Sequence, residues 1–376
     1  MKDFFLADDL SGALDAAAAF HLARRRVTVA LSTALAGEPD ADVVGLTTET
    51  RNVTPSAAAA IVERTLAEAR RQGARLLYKK IDSTLRGPVA AEVAALARAM
   101  PEVRILFAPA NPAAGRTVRG GILLVRGVPV GETEFARDPS SPVTTSDLRT
   151  LLGNMAPGRI VIPDAETEAD LTAAVEAMDA TGEPWVAVGS GALARPVARR
   201  VAGSTPLSAI GFGSEFHEPT RSVLLVCGSA HPLNRTQAAR LARDHNVTLH
   251  VMSGDGTAIN ASMEKALRAQ KTAILMMEER RGDSALLVQA LTKAAADLIG
   301  VTGCSRLFVT GGETAFALCS RLGIDGLQFQ AEIEPGLSLS FARDRNGPVW
   351  LAVKPGGFGD GQTWVRAWDA LQSRNE

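Results

Sequence analysis

The amino-acid sequence predicts an α/β protein of two domains with largely parallel sheets, and three observations lead to this fold class. The chain has 376 residues, which is more than one ordinary hydrophobic core encloses. Short apolar runs of β type alternate with alanine-, arginine- and glutamate-rich segments of helical period, the pattern of βαβ units. Dense polar or glycine-rich loops follow several of these runs, and open α/β sheets bind ligands at the carboxyl ends of their strands.

In the first half of the chain, strands and helices alternate regularly. The predicted strands are Phe4–Ala7, Val27–Ser32, Val43–Thr47, Leu76–Lys80, Arg104–Ala108, Arg159–Pro163 and Trp185–Gly189, and the predicted helices are Gly12–Arg25, Pro55–Gln72, Pro88–Ala99 and Glu168–Ala180. Residues 111–146 interrupt this alternation with many glycines and prolines. We interpret them as loops with a short hairpin.

A glycine-, serine- and proline-rich region, Gly203–Pro219, ends the first half. We place the domain boundary near Glu215–Arg221, which gives an N-terminal domain of residues 1–217 and a C-terminal domain of residues 218–376. The strands predicted in the second half are Val223–Cys227, Leu249–Met252, Ala273–Met277, Arg306–Thr310 and Trp350–Lys354, and the helices are Pro232–His245, Ala258–Ala269, Ser284–Ile299 and Gln362–Ser373.

Composition and charge exclude several classes of function. Lysine and arginine number 40, aspartate and glutamate 41, and the formal net charge of −1 leaves no overall field to hold nucleic acid or an anionic membrane. The sequence contains neither a signal-peptide pattern nor a run of about 18 apolar residues. Cys227, Cys304 and Cys319 lack the CxxC spacing of a zinc site and do not form a disulfide framework. We therefore expect a cytoplasmic protein without a membrane or nucleic-acid partner.

Two adjacent carboxylates, Asp8 and Asp9, follow the first predicted strand and precede a helix. Either Asp9 or Ser11 is expected to cap that helix, because such side chains accept hydrogen bonds from its first N–H groups. Capping requires only one acid. The other carboxylate is then available to bind a substrate hydroxyl, to accept its proton, or to hold a Mg²⁺ ion that arrives with a nucleotide.

Arg51 ends the segment Thr48-Glu49-Thr50-Arg51, which follows the predicted strand Val43–Thr47. A guanidinium group is planar and matches a carboxylate with two parallel hydrogen bonds. Arg51 is therefore our choice for the residue that binds the carboxylate of an acid substrate. The alternative is a surface arginine near a turn.

The segment Lys79–Gly87 is the densest polar cluster in the chain. The members that we expect around a small, anionic, hydroxylated ligand are Lys80, Asp82, Ser83, Thr84 and Arg86. Asp82 is the first choice for a general base, with Asp8 as its competitor, because a hydroxyl that attacks phosphorus needs an aligned proton acceptor. The alternative for Asp82 is a structural ion pair with Lys80 or Arg86. Further along, Asn111 and Arg116 either complete this pocket or belong to a segment that folds over it.

Three glycine-bearing turns follow strands of the second half and suggest a nucleotide-binding cradle. The residues concerned are Ser229 in Cys227-Gly228-Ser229, then Gly311, Gly312, Glu313 and Thr314, and then Gly356 and Gly357. Glycines let backbone N–H groups approach phosphate oxygens, and a helix that begins at Thr314 would direct its positive end at them. No GxxxxGK[ST] sequence occurs, which excludes a P-loop, and the spacing of Gly189–Ala194 does not fit an NAD fingerprint.

Taken together, these segments make the chain resemble the four-carbon acid sugar kinase family, formerly DUF1537. The segments that carry the resemblance are Ala7–Gly12, Thr48–Arg51, Lys79–Gly87, Pro109–Pro112, Thr310–Thr314 and Lys354–Gly359. Members of this family phosphorylate D-threonate, D-erythronate or 3-oxo-tetronates at the 4-hydroxyl with ATP. The resemblance implies a sugar-acid-binding N-terminal domain, a nucleotide-binding C-terminal domain and an active-site cleft between them.

By the position of these segments, the resemblance also implies roles for individual residues. Asp9, Arg51 and Asp82–Thr84 would contact the substrate, and Ser229, Gly311–Thr314 and Gly356 would contact ATP. We therefore expect an ATP- and Mg²⁺-dependent kinase whose small-molecule partners are a four-carbon sugar acid and ATP. Assembly as a homodimer is compatible with this expectation. The alternative functions are a non-catalytic sugar-acid or nucleotide sensor and, less favoured, an aldolase or dehydrogenase.

Overall fold

The computed structural model describes residues 2–33, 41–138, 140–153, 155–156, 158–202, 221–245, 247–252, 261–278 and 284–373. The chain separates into two compact units, Met1–Leu207 and Ser208–Glu376. The boundary predicted near Glu215–Arg221 lies outside the described residues, except for Arg221. Strands and helices alternate within each unit, and the predicted α/β fold class with largely parallel sheets is confirmed.

The N-terminal unit is built on parallel strands. Its strands are β1 (Asp3–Ala7), β2 (Val27–Ala30), β3 (Val43–Thr47), β4 (Arg75–Lys80), β5 (Arg104–Ala108), β6 (Arg116–Arg119), β7 (Ile122–Val125), β8 (Val128–Pro129), β9 (Ile160–Val161) and β10 (Trp185–Gly189), and its helices are α1 (Leu10–Leu22), α2 (Pro55–Arg71), α3 (Val89–Ala99), α4 (Leu148–Leu152), α5 (Glu168–Ala180) and α6 (Gly191–Arg199). The parallel strands pair in the order β2-β3-β1-β4-β10-β5-β9.

Burial explains why the central strands of this unit are almost continuously apolar. Every residue of β1 and β3 is buried, as expected for parallel strands that helices cover on both faces. The alanine-rich helix α1 packs closely on the sheet and on α6, while α2 packs on α3. The rings of Phe5 on β1 and Phe20 on α1 stack with their centroids 5.4 Å apart.

Residues 116–129 form a small antiparallel sheet in the order β6-β7-β8. A short hairpin was predicted in this region, and the structure adds a third strand to it. A short turn connects β5 to this sheet, and at that turn Asn111 and Arg116 exchange backbone hydrogen bonds of 2.8 and 3.0 Å. At its turn, the Asp164 carboxylate accepts hydrogen bonds from the N–H groups of Gly120 and Gly121 at 2.7 and 3.0 Å.

The C-terminal unit combines parallel and antiparallel pairing. Its strands are β11 (Val223–Cys227), β12 (Thr248–Met252), β13 (Thr272–Met277), β14 (Arg306–Thr310), β15 (Gly326–Glu334), β16 (Leu337–Asp344) and β17 (Gly347–Lys354), and its helices are α7 (Pro232–His245), α8 (Ala261–Arg268), α9 (Ser284–Thr302), α10 (Gly312–Leu322) and α11 (Thr363–Gln372). The order β12-β13-β11-β14-β17 is parallel, and β16 and β15 continue it as an antiparallel meander.

Strands β15 and β16 were not predicted from the sequence. The signal is nevertheless visible in β15, where buried Leu327 and Phe329 alternate with partly exposed Gln328 and Gln330. Alternation with a period of two is the pattern of a strand with one covered face. Continuous apolar runs mark buried parallel strands, whereas the strands of an antiparallel meander at the side of such a sheet are half polar and carry no such run.

Helix α9 is long and apolar enough to cross a membrane by length and composition alone, with a mean hydropathy of 1.4 over Ala285–Thr302. In the structure it packs against α8, α10 and β13 of its own unit. Leu291, Ala295 and Leu298 are buried in these contacts. On its surface, Lys293 and Asp297 form an ion pair of 2.7 Å. We therefore assign α9 to the core of the C-terminal unit.

Candidate active site

The carboxyl ends of five parallel strands lie along one edge of the N-terminal unit. Ala7 at the end of β1 pairs with Thr47 of β3 and with Lys80 of β4. Lys80 pairs in turn with Gly189 of β10, which pairs with Ala108 of β5. The loops that continue from these ends carry the predicted residues Asp8, Asp9, Arg51, Asp82, Ser83, Thr84, Arg86 and Asn111. The fold therefore brings the predicted substrate residues to one edge.

Arg51 lies among three carboxylates at this edge. Its Nε donates a hydrogen bond to Oδ2 of Asp8 at 2.8 Å, and its Nη1 and Nη2 donate to the two carboxylate oxygens of Asp9 at 2.6 and 2.9 Å. Oδ1 of Asp82 lies 3.9 Å from Nη2. Arg51 thus organises the acidic residues of the site, and 17% of its side chain stays exposed. Its role in binding a substrate carboxylate stays a prediction.

The two adjacent aspartates differ in role. Asp9 caps helix α1, with its Oδ1 accepting a hydrogen bond from the N–H of Gly12 at 2.7 Å and its Oδ2 accepting one from Ser11 Oγ at 2.7 Å. Asp8 is the remaining carboxylate, and it is buried. Within the described chain, its Oδ1 accepts no hydrogen bond. Burial raises the pKa of Asp8, the Arg51 cation opposes this rise, and the Asp9 anion adds to it.

Asp82 lies in a loop that engages both of its carboxylate oxygens. Oδ2 accepts from Arg86 Nε at 3.0 Å, from the backbone N–H groups of Thr84 and Arg86 at 3.2 Å, and from the Thr84 hydroxyl. Oδ1 accepts from Arg86 Nη2 at 2.9 Å. Burial by itself would raise the pKa of Asp82, but Arg86, Arg51 and these hydrogen bonds hold it well below its usual range. Of the two ion pairs left open for Asp82, the structure contains the one with Arg86.

The two lysines at the end of β4 are both buried but contact different groups. Lys79 Nζ lies 2.9 Å from Oε2 of Glu92 on α3 and donates to the Lys80 carbonyl at 3.0 Å. Lys80 Nζ donates to the Ile81 carbonyl at 3.0 Å and lies 3.6 Å from Oδ2 of Asp15 on α1. Lys80 therefore sits beside α1 at the site, whereas Lys79 connects β4 to α3.

One backbone conformation and two contacts of this site were not predicted from the sequence. Glu49 has a backbone φ of 48°, a costly conformation for a non-glycine residue that concentrates at functional sites, and burial raises its pKa to about 8. Oδ2 of Asp138 lies 3.6 Å from Nη1 of Arg86. Ser141 Oγ donates to the Arg51 carbonyl at 3.0 Å. The segment after the small sheet thus contacts Arg51 and Arg86, and the role of Asn111 and Arg116 stays a prediction.

Ser83 and Asn111 complete the set of residues predicted for the substrate. Both are partly exposed. Asn111 follows β5 at the same edge, and its backbone pairs with Arg116 as described above. Their contact with a ligand stays a prediction.

In the C-terminal unit, the three predicted glycine turns lie side by side. Cys227 at the end of β11 pairs with Thr310 of β14, and Thr310 pairs with Lys354 of β17. The turns that follow these neighbouring strands carry the predicted nucleotide residues Ser229, Gly311, Gly312, Glu313, Thr314, Gly356 and Gly357. This arrangement is the one a cradle for phosphate groups requires.

The first two of these turns approach each other so closely that only glycine fits at one position. A Cβ atom added to Gly228 would lie 1.9 Å from Thr314 Oγ1. Helix α10 begins at Gly312, two residues before the predicted start at Thr314, and Gly311 precedes it with a φ of 97° and no side-chain cap. The N–H groups at its first turn are thus not engaged by a capping side chain, and they form the positive end of the helix dipole.

The third turn packs on the first. A Cβ atom on Gly356 would lie 2.7 Å from Ser229 Oγ, and one on Gly357 would lie 2.7 Å from His231 Cδ2. Ser229 and Gly356 are partly buried, whereas Glu313 and Gly357 are exposed. Backbone N–H groups and a serine hydroxyl therefore line this edge, and such donors suit an anionic phosphate.

In the part of the chain that the structure describes, no group of three or more His, Cys, Asp or Glu side chains is arranged to hold a metal ion. A Mg²⁺ ion bound to ATP needs few protein ligands, since phosphate oxygens and water supply most of its coordination. The residues present are consistent with a metal ion that the nucleotide carries.

Two domain families match the chain in order. The sugar-binding N-terminal domain family matches residues 4–158, and the nucleotide-binding C-terminal domain family matches residues 224–363. The first match contains the Arg51 cluster and the Asp82 loop, and the second contains all three glycine turns.

Curated relatives match over nearly the whole chain. A D-threonate kinase from Cupriavidus necator is 34% identical and is matched over 99% of this chain and 98% of its own. A D-threonate kinase from Bordetella bronchiseptica is 32% identical, and the match covers 98% of this chain and 97% of its own. Relatives named 3-oxo-tetronate kinase and D-erythronate kinase are 25–27% identical.

Solved structures share the fold. A Salmonella typhimurium protein described as a putative tRNA synthase superposes with a TM-score of 0.76 at 23% identity, over 97% of this chain and 98% of its own. A DUF1537 domain from Bordetella bronchiseptica is described as a domain-swapped dimer with bound citrate. It is 31% identical with a TM-score of 0.50, and the match covers 99% of this chain and 98% of its own. The resemblance inferred from the sequence is thereby confirmed, and this chain belongs to the four-carbon acid sugar kinase family.

Proposed function

We propose that this protein transfers the γ-phosphoryl group of ATP to the terminal 4-hydroxyl of a four-carbon sugar acid, with D-threonate as the first candidate. One observation carries the proposal: the chain combines a carboxylate–arginine cluster within its sugar-binding match and a glycine cradle within its nucleotide-binding match. D-Threonate is placed first because the two relatives described above at 32% and 34% identity are named for it.

Residues 1–217 would bind the sugar acid. A polyhydroxy acid presents hydroxyl donors, which suit the carboxylates of Asp8 and Asp9, and one carboxylate, which suits a guanidinium group. Arg51 pairs with both of these acids, and Arg86 pairs with Asp82 in the neighbouring loop. Ser83, Thr84 and Asn111 would add hydroxyl and amide contacts, and Lys80 or Arg86 would stabilise charge on the phosphoryl group in flight.

Asp8 is the better supported of the two proton acceptors. A general base works best when its pKa approaches the operating pH. Burial raises the pKa of Asp8, whereas Arg86 and Arg51 overcome burial at Asp82 and hold its pKa well below the usual range. Oδ1 of Asp8 also lacks a hydrogen-bond donor among the described residues. Asp82, which accepts from Thr84 and Arg86, would instead hold its loop in shape.

Residues 218–376 would bind ATP through the three turns at the ends of β11, β14 and β17. The N–H groups of Gly312, Glu313 and Thr314 and the Ser229 hydroxyl would donate to phosphate oxygens, whereas the N–H of Gly311 already donates to the Lys354 carbonyl at 2.8 Å. Gly311, Gly356 and Gly357 would admit the phosphates closely because they carry no side chain. A Mg²⁺ ion bound to the nucleotide would neutralise charge that develops on the phosphates.

We further propose a cytoplasmic location and assembly with a second copy. Cys227, Cys304 and Cys319 are buried and form no disulfide, which suits a reducing compartment. A relative described as a dimer motivates the second proposal. Light scattering of the purified protein tests it, and a monomeric mass at all concentrations would contradict it.

The first experiment is an ADP-release assay with MgATP against D- and L-threonate, D- and L-erythronate and the 3-oxo-tetronates. We expect D-threonate to give the highest kcat/KM. A different acid as best substrate would retain the kinase and correct its acceptor. Absence of turnover with every acid, in a protein that binds MgADP by calorimetry, would contradict phosphoryl transfer to four-carbon acids and favour a sensor.

A further inference from the structure

Lys354, the last residue of β17, has a fully buried side chain. Its Nζ donates hydrogen bonds to three backbone carbonyls of the loop that follows: Pro355 at 3.2 Å, Gly356 at 2.7 Å and Phe358 at 2.9 Å. An ammonium group has three N–H donors. All three are therefore matched by acceptors of one short loop, and the ammonium has no donor left for a ligand.

The orientation of these carbonyls determines where the loop's N–H groups point. In a trans peptide unit, the C=O and N–H bonds point in nearly opposite directions. The carbonyls of Pro355, Gly356 and Phe358 point at Lys354, so the N–H groups of the next residues point away from it. Those next residues are Gly356, Gly357 and Gly359.

All three outward N–H groups belong to glycines, so no side chain shields them. Among the described residues, none of the three donates a hydrogen bond to a protein acceptor. Gly359 has a φ of 88°, a conformation open chiefly to glycine. Successive backbone N–H groups on one side of a turn form a concavity that binds anions.

A second side chain supports the same carbonyl orientation. Asn234 on α7 is buried, and its Nδ2 donates to the Gly356 carbonyl at 2.9 Å. Gln237, one turn further along α7, donates to the Asp360 carbonyl. Asn234, Gln237 and Lys354 thus all donate to carbonyls of residues 355–360, and the N–H groups of Gly356, Gly357 and Gly359 are left for the outer side.

We propose that Lys354 is a positioning residue for nucleotide binding: it holds the Pro355–Gly359 loop so that three glycine N–H groups face a phosphate group of the nucleotide. This inference rests on the proposed function, because it assumes that the loop receives a nucleoside di- or triphosphate. Lys354 acts through the loop and not by touching the phosphate, since its own donors are already used. The buried ammonium adds positive charge beneath the same loop.

The test measures nucleotide affinity directly, by calorimetric titration of MgADP into wild-type protein and Lys354→Met. Methionine is unbranched and only one atom shorter than lysine, and it has no donors. We expect the Kd for MgADP to rise about tenfold or more, from the loss of three hydrogen bonds. In the kinase assay, the KM for ATP should rise while the KM for the sugar acid is unchanged.

Lys293→Met is the matched control, because it removes the same charge from the same unit at an exposed ion pair with Asp297. Its MgADP affinity should equal that of the wild type. An unchanged Kd in folded Lys354→Met would overturn the inference while leaving the proposed function intact. Absence of MgADP binding by the wild-type protein would instead overturn the nucleotide half of the proposed function.

Wild-type protein supplies a second test that does not depend on the fold of a variant. Burial lowers the pKa of Lys354 to about 8, while Cys227 and Glu334, the titratable groups that face it, oppose this shift. Above that pH the neutral amine has two N–H donors for three carbonyls. MgADP affinity should therefore fall as the pH rises through about 8. An affinity that stays constant across this range would overturn the inference.

Discussion

Three aspartates gather round the Arg51 guanidinium, and their neighbours give them different electrostatic properties. Asp9 is tied to a helix N-terminus, Asp82 accepts several hydrogen bonds from its own loop, and Asp8 keeps one oxygen without a donor among the described residues. The hydrogen-bond donors around each carboxylate set its proton affinity. The sequence indicated that these acids share a site but could not assign donors to each.

Substitution of Asp8 tests the assignment of the base. We expect Asp8→Asn to lower kcat by roughly 10²–10⁴, the usual contribution of a positioned proton acceptor. MgADP affinity should be unchanged, because Asp8 belongs to the N-terminal unit. Steady-state kinetics and calorimetry measure the two quantities. If Asp8→Asn keeps wild-type kcat and a folded Asp82→Asn loses it, the proton acceptor is Asp82.

Glu49 predicts a pH dependence of stability. Its pKa of about 8 in the folded protein lies above the ordinary 4.5, because burial disfavours the charged form. Between these values the folded state holds a proton that the unfolded state has released, so the free energy of unfolding falls as the pH rises. Glu49→Gln is neutral at every pH, and its stability relative to the wild type should increase between about pH 5 and about pH 8. Thermal denaturation across this range measures the difference, and a constant difference would contradict the prediction.

At the scale of elements, a buried ion pair connects helix α3 to the strand that carries the Asp82 loop. Nζ of Lys79 on β4 and Oε2 of Glu92 on α3 are 2.9 Å apart, and 0% and 1% of the two side chains are exposed. The Thr50 hydroxyl donates to the same Glu92 carboxylate. Glu92 therefore connects Thr50, the residue before Arg51, to both α3 and β4.

Breaking this pair should be costly. Glu92→Gln leaves the buried Lys79 ammonium without its counter-charge, and we expect a loss of about 3–5 kcal/mol in the free energy of unfolding. Urea denaturation measures it. Glu63→Gln is the control, because its ion pair with Arg98 is exposed and should contribute about 0–1 kcal/mol. Equal losses in the two variants would show that burial does not set the strength of the first pair.

The contact between the β11 turn and α10 makes a separate prediction. In Gly228→Ala the new methyl group would overlap Thr314 Oγ1, so the turn must move away from the helix N-terminus. We expect MgADP affinity to fall about tenfold or more, as phosphate donors are displaced. Gly300→Ala on α9 has no atom within 4 Å of the new Cβ, and calorimetry should find its affinity unchanged. An unchanged affinity in Gly228→Ala would separate this turn from the nucleotide site.

Element types were predictable where one local pattern dominates. The predicted spans Val43–Thr47, Glu168–Ala180 and Val223–Cys227 agree with the structure residue for residue, because their apolar runs or helical periods end sharply. Helix α1 begins at Leu10, two residues before the predicted Gly12, because capping by Asp9 decides its start. The β15–β16 meander was missed because its strands are half polar.

At the scale of the whole molecule, the two units should bind their ligands through separate sets of residues. A ligand stabilises the folded state by an amount that depends on its concentration relative to its Kd, about 2.7 kcal/mol at a hundredfold excess. MgADP should therefore raise the Tm of Asp8→Asn by as much as it raises the Tm of the wild type. D-Threonate should likewise raise the Tm of Gly228→Ala by as much as it raises the Tm of the wild type. Scanning calorimetry measures both shifts. Loss of the MgADP shift in Asp8→Asn would show that the two sets of residues are not independent.

The sequence by itself determined the α/β class, the family, and which loops carry the chemistry, because these depend on local periodicity and on short runs of residues. Tertiary structure alone decided how those loops meet. It set Arg51 among three carboxylates, left one oxygen of Asp8 without a donor among the described residues, and turned the carbonyls after β17 toward Lys354. Such contacts join residues far apart in the chain, and the proton affinity of a buried group depends on neighbours that only the fold brings close.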